Sequence, residues 1–236
     1  MRLLLRWLLL GLLALLALQL YFVARIALMV VVDPGSTTFQ RSEALRVLRS
    51  KGELPWRQEW ANTISPQLAR AVIASEDAGF ADHAGIDWEA VEKAWERNEK
   101  AEARAARRTL AKPPKVVGGS TITQQLAKNL FLSGERSLPR KAQEALLTLA
   151  LELFLSKSRI LEIYLNHVEW GEGVFGAEAA AHHYFRVPAA KLNSAQAARL
   201  AVMLPAPKRF EKRPGSAYLS GRSATIQARM PAVELP

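Results

Sequence analysis

Gly118-Gly119-Ser120-Thr121-Ile122-Thr123-Gln124-Gln125-Leu126-Ala127-Lys128-Asn129-Leu130 is the stretch on which the reading of this chain turns. A Gly-Gly turn runs into hydroxyl side chains and then into the start of a helix. Its backbone N–H groups and positive dipole end can face an anion, and Lys128 adds a full charge nearby. Glu76-Asp77 lies upstream and Arg140-Lys141-x-x-Glu144 downstream. The whole therefore supplies two separated carboxylates with a polar, cationic cradle between them.

Working outward, Ser65-Pro66 reads as an N-cap with proline at the first helical position, and Leu68, Val72 and Ile73 form an apolar stripe. Glu76 falls on that stripe. Burying a carboxylate costs free energy unless it is paired or neutralised. Either it bonds a core arginine, or it lines a cleft where partial desolvation raises its pKa toward that of a general base. Asp87 caps the next helix, whose apolar positions are Trp88, Val91 and Trp95. From Glu96 to Arg108 charges of both signs dominate, which predicts a solvent-exposed extension stopped by Pro113-Pro114.

Ser137-Leu138-Pro139 starts a further helix that puts Arg140, Lys141 and Glu144 on one face, a set that elsewhere is an ordinary surface ion pair. Its continuation, Ala145 to Leu155, is apolar nearly all round and predicts a helix buried at the centre of the domain. Ser158 is read as the cap of a shorter helix carrying Leu161, Tyr164 and Leu165. Trp170 to Gly176 is read as a glycine-rich loop leading to an alanine-rich helix that ends near Tyr184-Phe185. Strict alternation is nearly absent, so the fold class expected is mainly α.

The first 32 residues stand apart. Trp7 to Ala24 carries no charge and is dominated by leucine, which as a helix reaches about 27 Å, enough to cross a bilayer. Arg2 and Arg6 put the N-terminus in the cytoplasm and the rest outside, with Arg25 a weaker opposing signal. The run exceeds the ~7 to 15 residues of a signal-peptide core, so a retained anchor is preferred to a cleaved leader. The organisation expected is an anchor over 1–32, a linker and entry segment over 33–64, a domain over 65–212 and a short tail over 213–236. Because that domain's core is placed downstream of Ser65, removal of 1–32 is expected to leave it folded.

There is no cysteine, which excludes disulfides and thiolate metal sites. A net charge of +10 and a pI near 10.1 suit an acidic partner such as lipid headgroups, a pyrophosphate or nucleic acid. Nucleic acid is not expected as a partner, since neither zinc spacing nor an aromatic ribonucleoprotein motif is present. Adjacent His182 and His183 point apart on a helix, and His83 and His167 add no ligand spacing, so no histidine metal site is expected.

Taken in order, four motifs resemble those of the peptidoglycan glycosyltransferases, the lipid II polymerases that also form the N-terminal half of bifunctional penicillin-binding proteins. They are Glu76-Asp77-x-x-Phe80-x-x-His83-x-Gly85, the Gly118 to Asn129 stretch, Arg140-Lys141-x-x-Glu144, and Ser156-Lys157-x-x-Ile160-Leu161-Glu162-x-Tyr164-Leu165-Asn166. The resemblance runs from about Ser65 to Phe210, and no Ser-x-x-Lys transpeptidase segment follows, as in the monofunctional branch. It implies a lysozyme-like, mainly α domain behind one N-terminal transmembrane helix. The implied setting is the bacterial inner membrane, single-pass, with the domain on the periplasmic side.

The activity implied is polymerisation of lipid II into β-1,4-linked glycan, with inversion and release of undecaprenyl pyrophosphate. Glu76 would be the base. Glu144 would be the second carboxylate, orienting the basic residues or helping to hold a divalent cation such as Mg²⁺. Ser120, Thr121, Thr123, Gln125, Lys128, Asn129, Arg140 and Lys141 would bind substrate. Lipid II, the nascent strand, the membrane and cell-division or wall-synthesis proteins are the partners implied. The chain departs from the family pattern in a longer stretch between Glu76 and the Gly-Gly turn. Two other classes remain to be weighed: a catalytically silent scaffold, and a hydrolase cutting glycan between paired carboxylates.

Overall fold

A computed structural model describes residues 1–108, 118–135 and 137–236. Pro113-Pro114, expected to stop the charged helix, lies outside them. The chain is mainly helical, as expected. Helix α1 spans Arg2–Leu28, α2 Thr38–Lys51, α3 Pro66–Glu76, α4 Trp88–Arg108, α5 Ile122–Phe131, α6 Leu138–Phe154 and α7 Lys157–His167. Beyond them lie α8 (Ala177–Phe185), α9 (Ser194–Met203), α10 (Pro207–Glu211) and α11 (Ala217–Arg229). Several starts follow from local chemistry. Ser65 accepts from Gln67 N–H ahead of α3, and capping boxes open α2 at Thr37, α5 at Thr121 and α9 at Asn193. One core runs through the domain, with Leu68 and Val72 of α3 against α9, and Leu126 and Leu130 of α5 against α6 and α7.

The glycine-rich segment expected as a loop is a hairpin. Strands Glu169–Gly171 and Val174–Phe175 pair antiparallel, and Arg57–Gln58 joins the second in parallel to give a three-stranded sheet. Strands of two or three residues are too short to show alternation. Gly173 turns the hairpin at φ +75°, and a Cβ there would lie 2.0 Å from Pro55 O, so only glycine fits.

Four further expectations are corrected. Helix α6 is not central: Leu147 and Leu151 face the core, but Leu146 and Leu153 are 56% and 77% exposed, and Leu138 and Leu149 are exposed with them. The cap of α7 is Ser156, which accepts from Arg159 N–H, while Ser158 bonds to the Ser156 hydroxyl. Residues past 213 do not form a loose tail, because α11 packs on α9 and α3 and buries Leu219, Ile226 and Met230. Nor does the core begin at Ser65: Ile26 and Met29, at the end of α1, are buried in it, and Phe22 packs against it. The following segment is bonded in as well, with Asp33 on Arg159 and Pro34 O on the His167 ring. Trp88 and Trp95 of α4 are exposed, and among its described side chains Ala94 is the buried one.

A charge network ties α2 to the hairpin and to α10. Glu43 accepts from Arg46 and Lys208, Arg46 reaches Glu172, and Lys208 Nζ lies 3.3 Å from Glu169 Oε1. Glu169 is buried. Burial pushes its carboxyl up to about 7, against the pull of Lys208.

Candidate active site

Glu76 is the last residue of α3, and its stripe position brings it to the wall of a cleft. The cavity of ≈ 360 Å³ in front of it is bounded by Asp77, Asp87, Arg97, Gly118, Gly119, Ser120 and Thr121. Glu76 Oε2 accepts from Gln125 Nε2 at 3.1 Å, and burial raises its pKa above the usual carboxylate range against that hydrogen bond and a long one from Ser75. Arg222 of α11 also pulls it down, a contribution from beyond the expected domain boundary. The orientation of the Gln125 amide is fixed from behind. The Tyr164 hydroxyl donates to Gln125 Oε1 at 2.9 Å, leaving Nε2 to face the carboxylate.

The neighbouring Asp77 has a different task. It is buried, and its Oδ2 accepts from Ile122 N–H at 2.9 Å, at the positive end of α5. His83 Nδ1 accepts from Gly85 N–H, so the neutral ring carries its proton on Nε2 and donates to Asp77 Oδ1 at 2.9 Å. The α5 N-terminus, expected to meet an external anion, thus serves an internal one. Gly85 is held at φ +86° where a Cβ would lie 2.7 Å from Thr148 and Glu152 side chains, and a Cβ on Gly119 would lie 2.9 Å from Ala90 O. The turn therefore sits directly on α4.

A second cavity of ≈ 300 Å³ adjoins the first at Ser120. Gln125, Lys128, Asn129, Arg140, Lys141 and Glu144 line it, so seven of the residues singled out in the sequence, Ser120 included, come together there. Ser137 caps α6 and places Arg140 and Lys141 one turn ahead of buried Glu144. Glu144 Oε2 accepts from Arg140 Nη1 at 2.7 Å and Oε1 from Lys141. Arg140 Nε is buried with no hydrogen-bond partner, a charged donor left for something that enters the cavity. Glu144 thus holds Arg140 and Lys141 beside the cavity. Both Glu144 oxygens are engaged by these two cations, and among the described residues no three of His, Cys, Asp and Glu gather as an all-protein metal site.

Two of the expected substrate contacts have structural partners. Thr123 is fully buried and donates to Glu152 Oε1 at 2.6 Å, away from both cavities. Thr121 lines the Glu76 cavity but donates to Gly85 O and caps α5. Asp77, His83 and Tyr164 were not singled out as site residues. They stood within the quoted motifs, and only the folded geometry shows that they hold Glu76 and α5 in place.

Comparison with known proteins identifies the family. The chain matches the transglycosylase family over residues 47–231. A Burkholderia thailandensis protein named biosynthetic peptidoglycan transglycosylase is 53% identical over 223 residues, covering 94% of this chain and 83% of its own. One of the same name from a Janthinobacterium species is 50% identical, covering all of this chain and 99% of its own. A third, from Paraburkholderia xenovorans, is 51% identical over 94% of this chain and 88% of its own. With the two-cavity cleft and the lysozyme-like helical domain around it, these matches show that the chain belongs to the transglycosylase family, the biosynthetic peptidoglycan glycosyltransferases.

Proposed function

We infer that this enzyme polymerises lipid II into β-1,4-linked glycan and releases undecaprenyl pyrophosphate. The observation that carries the reading is the pair of adjoining cavities. One holds a carboxylate whose pKa is raised by burial, and the other holds Lys128, Arg140 and Lys141 with an unbonded Arg140 Nε. In this reading Glu76 takes the proton from the acceptor sugar's 4-hydroxyl as that oxygen attacks the anomeric carbon of the growing strand. Attack occurs opposite the pyrophosphate, so an α-linked donor becomes a β-linked product. The departing pyrophosphate takes the bonding electrons into the cationic cavity, where fixed charges stabilise it. Glu144 holds Arg140 and Lys141 in place for that anion.

The setting suits a lipid-borne donor. Helix α1 is long and apolar enough to cross a membrane, and the exposed leucines of α6 extend its apolar surface along the domain. By the positive-inside rule, Arg2 and Arg6 would keep the N-terminus cytoplasmic and the domain outside. The test is incubation of the purified chain with lipid II. Long glycan and free undecaprenyl pyrophosphate are expected, with loss of about 10²- to 10⁴-fold in Glu76→Gln. Cleavage of preformed glycan with no polymer made would replace the reading with hydrolysis.

A further inference from the structure

Gln19 is the sole amide side chain in the apolar run of α1, and a single partner satisfies it twice. Its Nε2 donates to Gln143 Oε1 at 2.8 Å, and Gln143 Nε2 donates back to Gln19 Oε1 at 3.0 Å. Amides in hydrocarbon have no water to bond, so each meets its need through the other. Residues 1–18 of α1 are all exposed, and Gln19 is the first to be half-buried. From it the stripe Phe22, Val23, Ile26 and Met29 runs at helical spacing into the domain. Phe22 meets Phe131 edge-on at 5.3 Å, and Arg159 Nε donates to Met29 O at 2.9 Å. Gln19 is thus the membrane-side end of a docked face.

Its partner sits at a telling place. Gln143 immediately precedes Glu144 and lies within one turn of Arg140 and Lys141, the cations that Glu144 holds. We propose that the Gln19–Gln143 amide pair is a positioning device, fixing the anion-facing end of α6 at a set depth against the bilayer so that a lipid-borne donor meets the second cavity in register. Neither glutamine lines that cavity, and both act through α6. The inference rests on the lipid-linked donor read above.

The test uses the full chain in liposomes containing lipid II. Gln19→Leu and Gln143→Leu should each raise the apparent KM for donor about three- to tenfold, the worth of one interhelical hydrogen-bond pair in a membrane. Turnover at saturating donor should hold. The double variant should be no worse than either single, because one shared interaction is lost. Gln19→Asn, a milder change too short to span the pair, should follow Leu. Gln19→Glu, protonated in that setting and able to donate and accept, should restore KM. The chain lacks cysteine, so a fluorophore on Leu146→Cys reports the depth of α6 through quenching by brominated lipids. That depth should shift in the single variants. Unchanged KM, unchanged depth, or a fall in turnover that tracks lost thermal stability overturns the proposal. An intact chain that turns over no lipid II counts against the donor reading alone, and the depth measurement then decides the role of the pair.

Discussion

Replacing Glu169 with glutamine removes a buried acid that the fold keeps protonated below about pH 7. Burial moves this carboxyl from an ordinary value of 4.5 to about 7, with Glu43 reinforcing the shift and Lys208 opposing it. Between those values the unfolded chain has released the proton while the folded protein keeps it. The unfolded state therefore binds fewer protons, and stability falls as pH rises through the window, by about 3 kcal/mol in all. An amide at this position cannot titrate, so that fall disappears. Lys208 keeps its bond to Glu43 in the variant. The new amide N–H meets a site where Glu169 Oε1 has no hydrogen bond, a cost of about 1–3 kcal/mol that does not vary with pH. Urea denaturation in detergent micelles at a series of pH values separates the two effects, since the titrating groups away from Glu169, Glu43, Arg46 and Lys208 cancel between the proteins. The variant should gain on the parent by about 3 kcal/mol from pH ~4.5 to 8, whatever their offset. Parallel stability curves would show that Glu169 titrates as an ordinary carboxylate and that Lys208 compensates its burial.

Tyr164→Phe frees the Gln125 amide to turn its oxygen toward Glu76. Losing that donor raises the Glu76 pKa further, so the acid limb of the pH–rate profile, already displaced upward by burial, should move to higher pH, with the protein still folded by circular dichroism. Arg140→Ala strips Glu144 of one partner and the second cavity of its unbonded donor. A pyrophosphate-bearing lipid should bind about tenfold or more weakly by titration, the scale of one charge-assisted hydrogen bond. Deleting residues 1–32 removes Ile26 and Met29 from the core at about 2–5 kcal/mol each, whereas deleting 1–18 spares them. Thermal melts in detergent should show the longer deletion unfolded or strongly destabilised and the shorter one close to intact.

The motifs that carry charge are legible in the sequence because their helices announce their own beginnings. Ser65-Pro66 and Ser137-Leu138-Pro139 fix where α3 and α6 start, and the count from there puts Glu76 on a wall and Arg140, Lys141 and Glu144 on one face. What leucine faces is not legible. Leu147 meets protein and Leu146 does not, yet a side chain suited to lipid is equally suited to a core, so the pattern of α6 cannot tell one from the other. Thr123 escapes a local reading because its acceptor, Glu152, lies 29 residues away. Helix α11 does leave a signal, since Ser216 caps it and Leu219, Ile226 and Met230 repeat at helical spacing. The hairpin strands are too short to leave a pattern.

The burial of Ile26 and Met29 also bears on how the protein comes to be folded. Synthesis makes α1 first, and its apolar length can enter the bilayer long before residues 126–151 leave the ribosome. The partners of its docked face lie more than a hundred residues away, as in the separation of 124 between Gln19 and Gln143. With α1 held in a bilayer, as proposed above, α5 and α6 would close onto a wall already fixed in place, which would spare much of the entropy of bringing such distant segments together. A chain refolded from denaturant has no such wall and must find α1 by diffusion. On that proposal the bilayer is a template for the core, and the order of synthesis is part of what makes the fold accessible.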